Sequence, residues 1–506
     1  MKVIKQYISY LILLLSLCYF TGCKDLMRVK SDERLSGDEF WTEGNDASVE
    51  SFTLSLYSFF RDATMREAAF IVNTGELRAA PVVPYGTDAN YYVRHLVANN
   101  LNQLISQQNN YLGSNITRWK TFYKVVQSAN ILLENIDNVP GLSEQNKRAY
   151  RSEAIFMRNL TYFFMARVFG DIPYYTNAQN YEALPRSNMV EVLQGCLADL
   201  QTIIDADPNY QYIPWTQPGA KAGIRPNRGA VLLLMMHINM WLVRFDATRA
   251  TTYYQNTANL GRTLIEDNGG TYYLLDLARS NDIFRGGTAE TLFEIVQNIN
   301  TNETFPQNAN YSNLFTYRYR GLGISTPLLY YQSRFLLQLY SPEEVDNRRE
   351  AWFDENIYQI DGTSKEMVKF LNADVSGTTP TSNSGNQIVF RYADALLLYA
   401  EALAELGTDD GKALEILNTV RERAGAPSRS SSGDDLKDDI YWERVRELIG
   451  EGHYFYDLIR TSKIHDPNYS YHPMSRVDFN AGGWTWPIHP DAFINNTKMT
   501  DNLFWK

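Results

Sequence analysis

Cysteine is scarce in this chain: three residues in 506, at Cys18, Cys23 and Cys196. Two of them fall in or beside an N-terminal leader. Cys196 is then alone in the mature chain, so no internal disulfide can form. Its neighbours are apolar and none is cationic, which reads as a buried, inert thiol rather than a nucleophile. Clustered basic residues are absent as well. The formal net charge is −11, and no basic run or basic helix face interrupts it. Nucleic acid is therefore excluded as a partner, because phosphate contacts need grouped Lys and Arg. The six histidines (His95, His237, His453, His465, His472 and His489) show neither HExxH nor a cysteine-rich spacing, so no metal site is expected. A GxSxG elbow, a P-loop and a dinucleotide fingerprint are all missing, and no cofactor is expected. Glycoside hydrolysis needs two carboxylates flanking a bond. Among 58 acidic residues such a pair could arise by chance, so their number decides nothing.

Long apolar runs are limited to one, Ile8 to Phe20, preceded by Lys2 and Lys5. It has the length of a signal-peptide core and is too short for a membrane span. It ends in Phe20-Thr21-Gly22-Cys23. Small residues before a cysteine resemble the bacterial lipobox, so residues 1–22 are expected to be a lipoprotein signal peptide and Cys23 the lipid anchor, the alternative being an ordinary secreted protein with an incidental cysteine. Two or three acyl chains at one terminus hold a protein stably on a bilayer, each buried methylene adding roughly 0.8 kcal/mol.

Aromatic residues make up 13% of the chain, with 34 Tyr against 24 Phe. Tyr joins a flat apolar face to a polar tip, which suits stacking on sugars or peptides as well as filling helix interfaces. Helical periodicity dominates the rest. Residues 24–45 read as an extended polar lead-in, Asp46 to Arg61 as a helix, and Asn73 to Asn90 as a loop. Ile116 to Ile136 and Glu144 to Phe169 form a helix pair; Tyr150, Ala154, Met157, Thr161, Phe164 and Val168 step by four and three along the second. Ser143 is its N-cap candidate. Asn188 to Asp205 and Pro226 to Phe245 make a second pair, and Thr251 to Glu266 a shorter helix. Residues 268–385 break the rhythm and read as an irregular insertion with short strand-like runs such as Thr291 to Val296. Helices return at Tyr392 to Leu406, Gly411 to Ala424, and Asp438 to Arg460, the last interrupted at Gly450-Glu451-Gly452. Helix hairpins with small residues at their contacts are the grammar of tetratricopeptide-type repeats, and the fold class is mainly α.

Segments across nearly the whole mature chain resemble the SusD/RagB family of outer-membrane nutrient-binding lipoproteins. Cys23-Lys24-Asp25 with Phe40-Trp41 resembles the family's lead-in. Arg148-Ala149-Tyr150 through Phe169-Gly170-Asp171-Ile172-Pro173 is similar to its N-terminal segment, and Arg225 to Ala230 to the helix start that follows. Arg391-Tyr392-Ala393-Asp394, Tyr399-Ala400-Glu401-Ala402, Arg423-Ala424-Gly425, Glu451-Gly452-His453 and Asp457 to Arg460 resemble the C-terminal block. The ending Trp486-Pro487-Ile488-His489-Pro490 departs from the family at His489, where proline is usual; Asp501 stands where glutamine is usual.

The resemblance implies a SusD-like fold with an N-terminal helical region, 23–267, and a C-terminal region, 268–506, in one body. Glu401, Arg421, Arg423, Glu443, Arg444, Glu447 and Arg460 interleave charge with apolar faces and are expected to pin helices together rather than bind ligand. It further implies a non-catalytic glycan-binding lipoprotein on the outer face of the outer membrane. Its partner would be a SusC-like TonB-dependent transporter. Cargo made of peptide or another polymer is the alternative, and an enzyme or a bare helical scaffold the third reading. A glycan site needs aromatic platforms and polar edges carried on loops. The candidates are Tyr85, Asp88, Tyr91 and Tyr92; Trp215 in a Pro-rich loop; and Tyr311, Tyr317, Arg318 and Tyr319 in the insertion.

Overall fold

A computed structural model describes residues 37–66, 70–84, 91–105, 115–180, 182–216, 223–298, 329–353, 357, 367–370, 373–376, 379–383 and 385–506. It shows the backbone alone at a few element ends, Tyr91 and Tyr92 among them. Several helices begin where a short polar side chain holds a free N–H group of the first turn. α1 (Asp46–Arg61) starts at Asn45, whose side chain accepts from Ser48 N. α2 spans Tyr91–Val97 and α3 Lys120–Asn135. α4 (Glu144–Phe169) is capped by Ser143 Oγ, 3.1 Å from Asn146 N. α5 (Met189–Ala206) starts at Asn188 and α6 (Arg228–Phe245) at Asn227, both accepting from first-turn amides. Each such cap contributes about 1 kcal/mol. α7 (Ala250–Glu266), α8 (Tyr392–Leu406), α9 (Asp410–Arg423), α10 (Gly433–Glu447) and α11 (Tyr454–Arg460) complete the frame.

From α3 to α9, each helix packs against the next in sequence, α10 folds back on α8, and the frame is mainly α. The alanines of α8 are buried, and its partner α7 presents Gly261. A Cβ there would sit 2.7 Å from the Tyr399 ring, so the approach of these helices requires glycine. Cys196 is buried and its thiol pKa is raised by burial. Trp484 and Trp486 are buried against the same core. Among the described residues, no single helix is long and apolar enough to cross a membrane.

Among the described residues, six short strands make three two-stranded antiparallel ladders. β1 (Val82–Pro84) pairs with β3 (Leu329–Tyr331), β2 (Thr291–Ile295) with β6 (Gln387–Arg391), and β4 (Ala373–Ser376) with β5 (Thr379–Asn383).

The structure corrects two expectations and moves one helix start. Gly37–Glu43 is a helix within the expected extended lead-in, because Phe40 and Trp41 pack on Phe52 of α1. Asn73 to Asn90 is not loop throughout: Val72–Leu77 forms a buried π-helical turn, and β1 follows it. The stretch from Asp438 to Arg460 is interrupted at Gly450 to Gly452 as its sequence indicates, between α10 and α11, but α10 begins earlier, at Gly433.

The charged residues of the C-terminal block sit inside the protein. Arg391, at the end of β6, reaches Glu290 at 2.9 Å, Glu447 at 2.8 Å and Glu451 at 2.7 Å. Arg348 lies 2.7 Å from Glu443 and 3.1 Å from Glu447. Arg421 bonds Glu443 at 2.8 Å, and Lys369 bonds Glu451 at 2.7 Å. Burial by itself would raise the Glu443 carboxyl, but Arg348, Arg446 and Arg421 outweigh it and hold it at about 2. Arg460 is paired with both Glu401 and Asp457. These residues pin strands and helices together.

Candidate ligand-binding region

The short ladder β1–β3 is where distant parts of the chain meet. Its register pairs Val82 with Tyr331 and Pro84 with Leu329, and Gln332 N bonds Pro81 O at 2.8 Å. Pro84 is the last described residue before 85–90, and Leu329 the first after 299–328. The two tyrosine-bearing segments singled out in the sequence thus depart from, and return to, the same end of one ladder. α2, which begins at Tyr91 and Tyr92, packs against β1, and Ala79 N bonds Leu96 O at 3.3 Å.

A buried carboxylate that the sequence reading missed fixes this ladder from below. Glu76 accepts from Tyr331 Oη at 2.7 Å, from Gly450 N at 2.9 Å and from Gly452 N at 3.0 Å. Burial raises its pKa, and these donors pull it back down. The Tyr331 ring stacks 5.8 Å from Phe335, which meets Tyr454 and Tyr471 edge-on. The turn Gly450-Glu451-Gly452 therefore serves both regions: Glu451 faces Arg391 and Lys369, and the flanking amides face Glu76. No local signal marks Glu76, since its amide partners lie more than 370 positions away.

Of the sequence candidates, Cys23, Tyr85, Asp88, Tyr311, Tyr317, Arg318 and Tyr319 lie outside the described residues. Tyr91 and Tyr92 open α2. Trp215 lies elsewhere, half-buried, 5.4 Å from the Tyr210 ring and edge-on to Tyr272, whose hydroxyl donates to its carbonyl. No described contact links Trp215 to β1 or β3.

One further cluster has the donor types of a metal site. His237, Asp394 and His453 bring ligand atoms within 4.8 Å of one another. His237 Nε2 lies 2.6 Å from Asp394 Oδ2, but Arg444 Nη1 lies 2.6 Å from Asp394 Oδ1 and Arg444 Nη2 lies 3.4 Å from His453 Nδ1. A guanidinium already stands where the cation would go. Burial opposes ionisation of Asp394, yet His237 and Arg444 hold its carboxyl well below the usual range. Burial keeps His453 at about 4 and lowers His237, so both rings are neutral near pH 7. The cluster is a buried tie between α6, α8, α10 and α11.

Comparison with known proteins agrees with this frame. The signature of the SusD family matches residues 244–505, and that of a family described as starch-binding and associating with the outer membrane matches residues 72–224. The crystal structure of a SusD homologue from Bacteroides thetaiotaomicron is 51% identical, with a TM-score of 0.88, over 92% of this chain and 100% of that one. SusD-like protein P38 of Formosa agariphila is 24% identical over 99% of this chain and 100% of its own. A laminarin-binding SusD-like protein, 20% identical, shares the fold with a TM-score of 0.67 over 90% of this chain and 99% of its own. The description of the second signature associates that family with starch binding and with the outer membrane. With the family signature spanning the C-terminal half and a half-identical homologue aligned nearly end to end, the chain belongs to the SusD family.

Proposed function

We propose that this chain is a non-catalytic, cell-surface glycan-binding lipoprotein, anchored through Cys23, that delivers oligosaccharides to a SusC-like TonB-dependent transporter in the outer membrane. The observation that carries the reading is the pairing of Pro84 with Leu329, which roots the segments bearing Tyr85 and Tyr317 at one end of one ladder within a SusD-family frame. Aromatic rings carried on these two segments would give the apolar faces of sugar rings a platform, with Asp88 and Arg318 to bond the hydroxyl edges. The laminarin-binding neighbour is a precedent for such cargo on this fold. Lipid at the terminus would keep the protein beside its transporter.

The test is affinity electrophoresis of the chain from Lys24 onward in gels containing a panel of glycans, alongside folded Tyr85→Ala and Tyr317→Ala variants. Retardation by one glycan, abolished in either variant, is the expected result. Mobility unchanged in every glycan gel would overturn the reading and make oligopeptides the next panel.

A further inference from the structure

Glu294 lies on β2, fully buried, and the fold gives its carboxyl an uneven set of partners. Oε1 accepts from Gly287 N and from Asn386 Nδ2, each at 2.9 Å. Oε2 is buried with no partner among the described residues. The walls stand close. A Cβ at Gly286 would come 2.9 Å from Glu294 Oε1, and one at Gly223 would come 3.4 Å from Glu294 Cδ. Gly223 O also takes the Glu294 amide at 2.9 Å.

No neighbouring cation compensates the carboxyl. Arg225, two residues beyond Gly223, is paired with Glu153 and Glu50. Arg285, before the Gly286-Gly287 turn, lies 3.3 Å from Asp282. Arg391, at the far end of β6, is paired with Glu290, Glu447 and Glu451. Arg228, at the start of α6, bonds Asp207 O at 3.1 Å, and Arg61 of α1 does not act on Glu294 either. A buried ion without a counter-ion is costly. Burial therefore lifts this carboxyl to about 7, against the pull of its two donors.

The side chain of Asn386 carries this carboxyl's influence to the exit of β2. Its Oδ1 accepts from Gln297 N at 3.1 Å, and Gln297 Nε2 donates to Gly385 O at 2.7 Å. Carboxyl, amide and glutamine form one chain of bonds from the Gly287 turn, past the start of β6, to the residues just before 299–328. That following segment contains Tyr317.

We propose that Glu294, Asn386 and Gln297 form a proton-held clasp, in which the protonated carboxyl fastens the exit of β2 and loss of the proton frees it. The neutral carboxyl keeps both donors at little desolvation cost. The ionised one gains water at Oε2 only if the turn or the entry to β6 opens. Once open, the carboxyl returns to its ordinary value near 4.5. Between about 4.5 and 7 the closed form thus holds a proton that the open form lacks. Closure weakens about tenfold for each pH unit across that window and no further above it. The clasp stands independently of the glycan reading.

Hydrogen exchange read by mass spectrometry tests it, on the chain from Lys24 onward between pH 5 and 8.5. Labelling times are scaled to the intrinsic exchange rate at each pH. On that scale, exchange in peptides covering 286–298 and 385–391 should rise by up to about tenfold per unit between pH 5 and 7 and then level off. Peptides from α4 should not change. Glu294→Gln has no proton to lose in this range, so the same peptides should exchange slowly and equally at every pH. Asn386→Ala breaks the chain of bonds and should exchange fast in 286–298 even at pH 5. A flat profile in the parent would overturn the inference. So would a rise that persists in Glu294→Gln, which would assign it to another group, or parent-like protection of Asn386→Ala at pH 5.

Discussion

Two sets of buried carboxylates hold this protein together in opposite ways. Glu443, Glu447 and Glu451 are surrounded by guanidinium and ammonium groups, which keep them ionised against the cost of burial. Glu76 and Glu294 are buried with hydrogen-bond donors but no cation bonded to them, and burial raises both. The first set locks the C-terminal helices to β6. The second sits under the short ladders, Glu76 below β1–β3 and Glu294 on β2. The contrast separates two tasks. Matched charge deep in the frame makes a single arrangement of helices, since an unpaired ion there is costly. Neutral or weakly supported carboxylates tie down the edges from which the candidate ligand segments spring.

The strongest way to break the comparison is to remove the hub of the first set. Glu447→Gln leaves Arg348, Arg391 and Arg423 facing a neutral amide. Losing one partner of a buried ion pair costs about 3–5 kcal/mol, and chemical denaturation should read a loss of that size. A loss below about 1 kcal/mol would mean that the network contributes specificity without stability. The same set fixes the acid limb of the stability curve. Its folded pKa values are depressed, so its contribution is complete above the ordinary carboxylate range. It drains away as pH falls towards about 2, the value held by Glu443.

Glu294 has the opposite sign. Burial lifts it to about 7, while Asn386 Nδ2 and Gly287 N, each 2.9 Å from Oε1, pull it back. Its stability contribution is therefore present below about 4.5 and lost as pH rises through 7. Glu294→Gln keeps an oxygen for both donors and puts an amide where Oε2 has no partner. Relative to the parent, the variant should gain stability between pH 5 and 8, by about 3 kcal/mol at the alkaline end. A parallel pair of pH–stability curves would show that the carboxylate is ionised throughout. A smaller effect is expected of Glu76→Gln, which presents an NH2 group to donors now served by a carboxylate. Stability should fall by about 1–3 kcal/mol. Because the single amide oxygen can serve Tyr331 and Gly450 but not Gly452 as well, the support under β1–β3 loosens, and glycan retardation should weaken in protein that is still folded. Unchanged retardation would uncouple Glu76 from the ligand edge.

The helical frame was legible because it repeats locally. α4 and α8 occupy the ranges that their apolar spacing marks, and Ser143 caps α4 as its position suggests. The role of Glu443, Arg444 and Glu447 was legible too, since charge interleaved with apolar faces has few uses in a core. Glu76 was not: the segment from Asn73 to Asn90 looks like loop by its glycines and prolines. Its helical turn exists only because Gly75 lets the backbone approach Gly452, where a Cβ would come 1.9 Å from a carbonyl oxygen. The common root of Tyr85 and Tyr317 was equally invisible. Each segment is tyrosine-rich by itself, and nothing local shows that Pro84, before one, pairs with Leu329, after the other. Trp215 was singled out by the same loop chemistry, and its contacts run instead to Tyr210 and Tyr272.

The smallest expected effect sharpens the comparison by keeping the chemistry and changing the surroundings. Arg151 on α4 bonds Asp137 just as the network arginines bond their acids, but its side chain is 34% exposed and that of Asp137 66%. Water already solvates both ions there, and ordering two long side chains offsets much of the attraction. An exposed pair of this kind contributes about 0.2–1 kcal/mol. Arg151→Ala should therefore shift the denaturation midpoint only slightly, and the shift should vanish in high salt, where surface charges are screened. Glu447→Gln should keep its full cost in the same salt, because its partners are buried. If the two variants responded to salt alike, burial would not be what distinguishes the network from the surface.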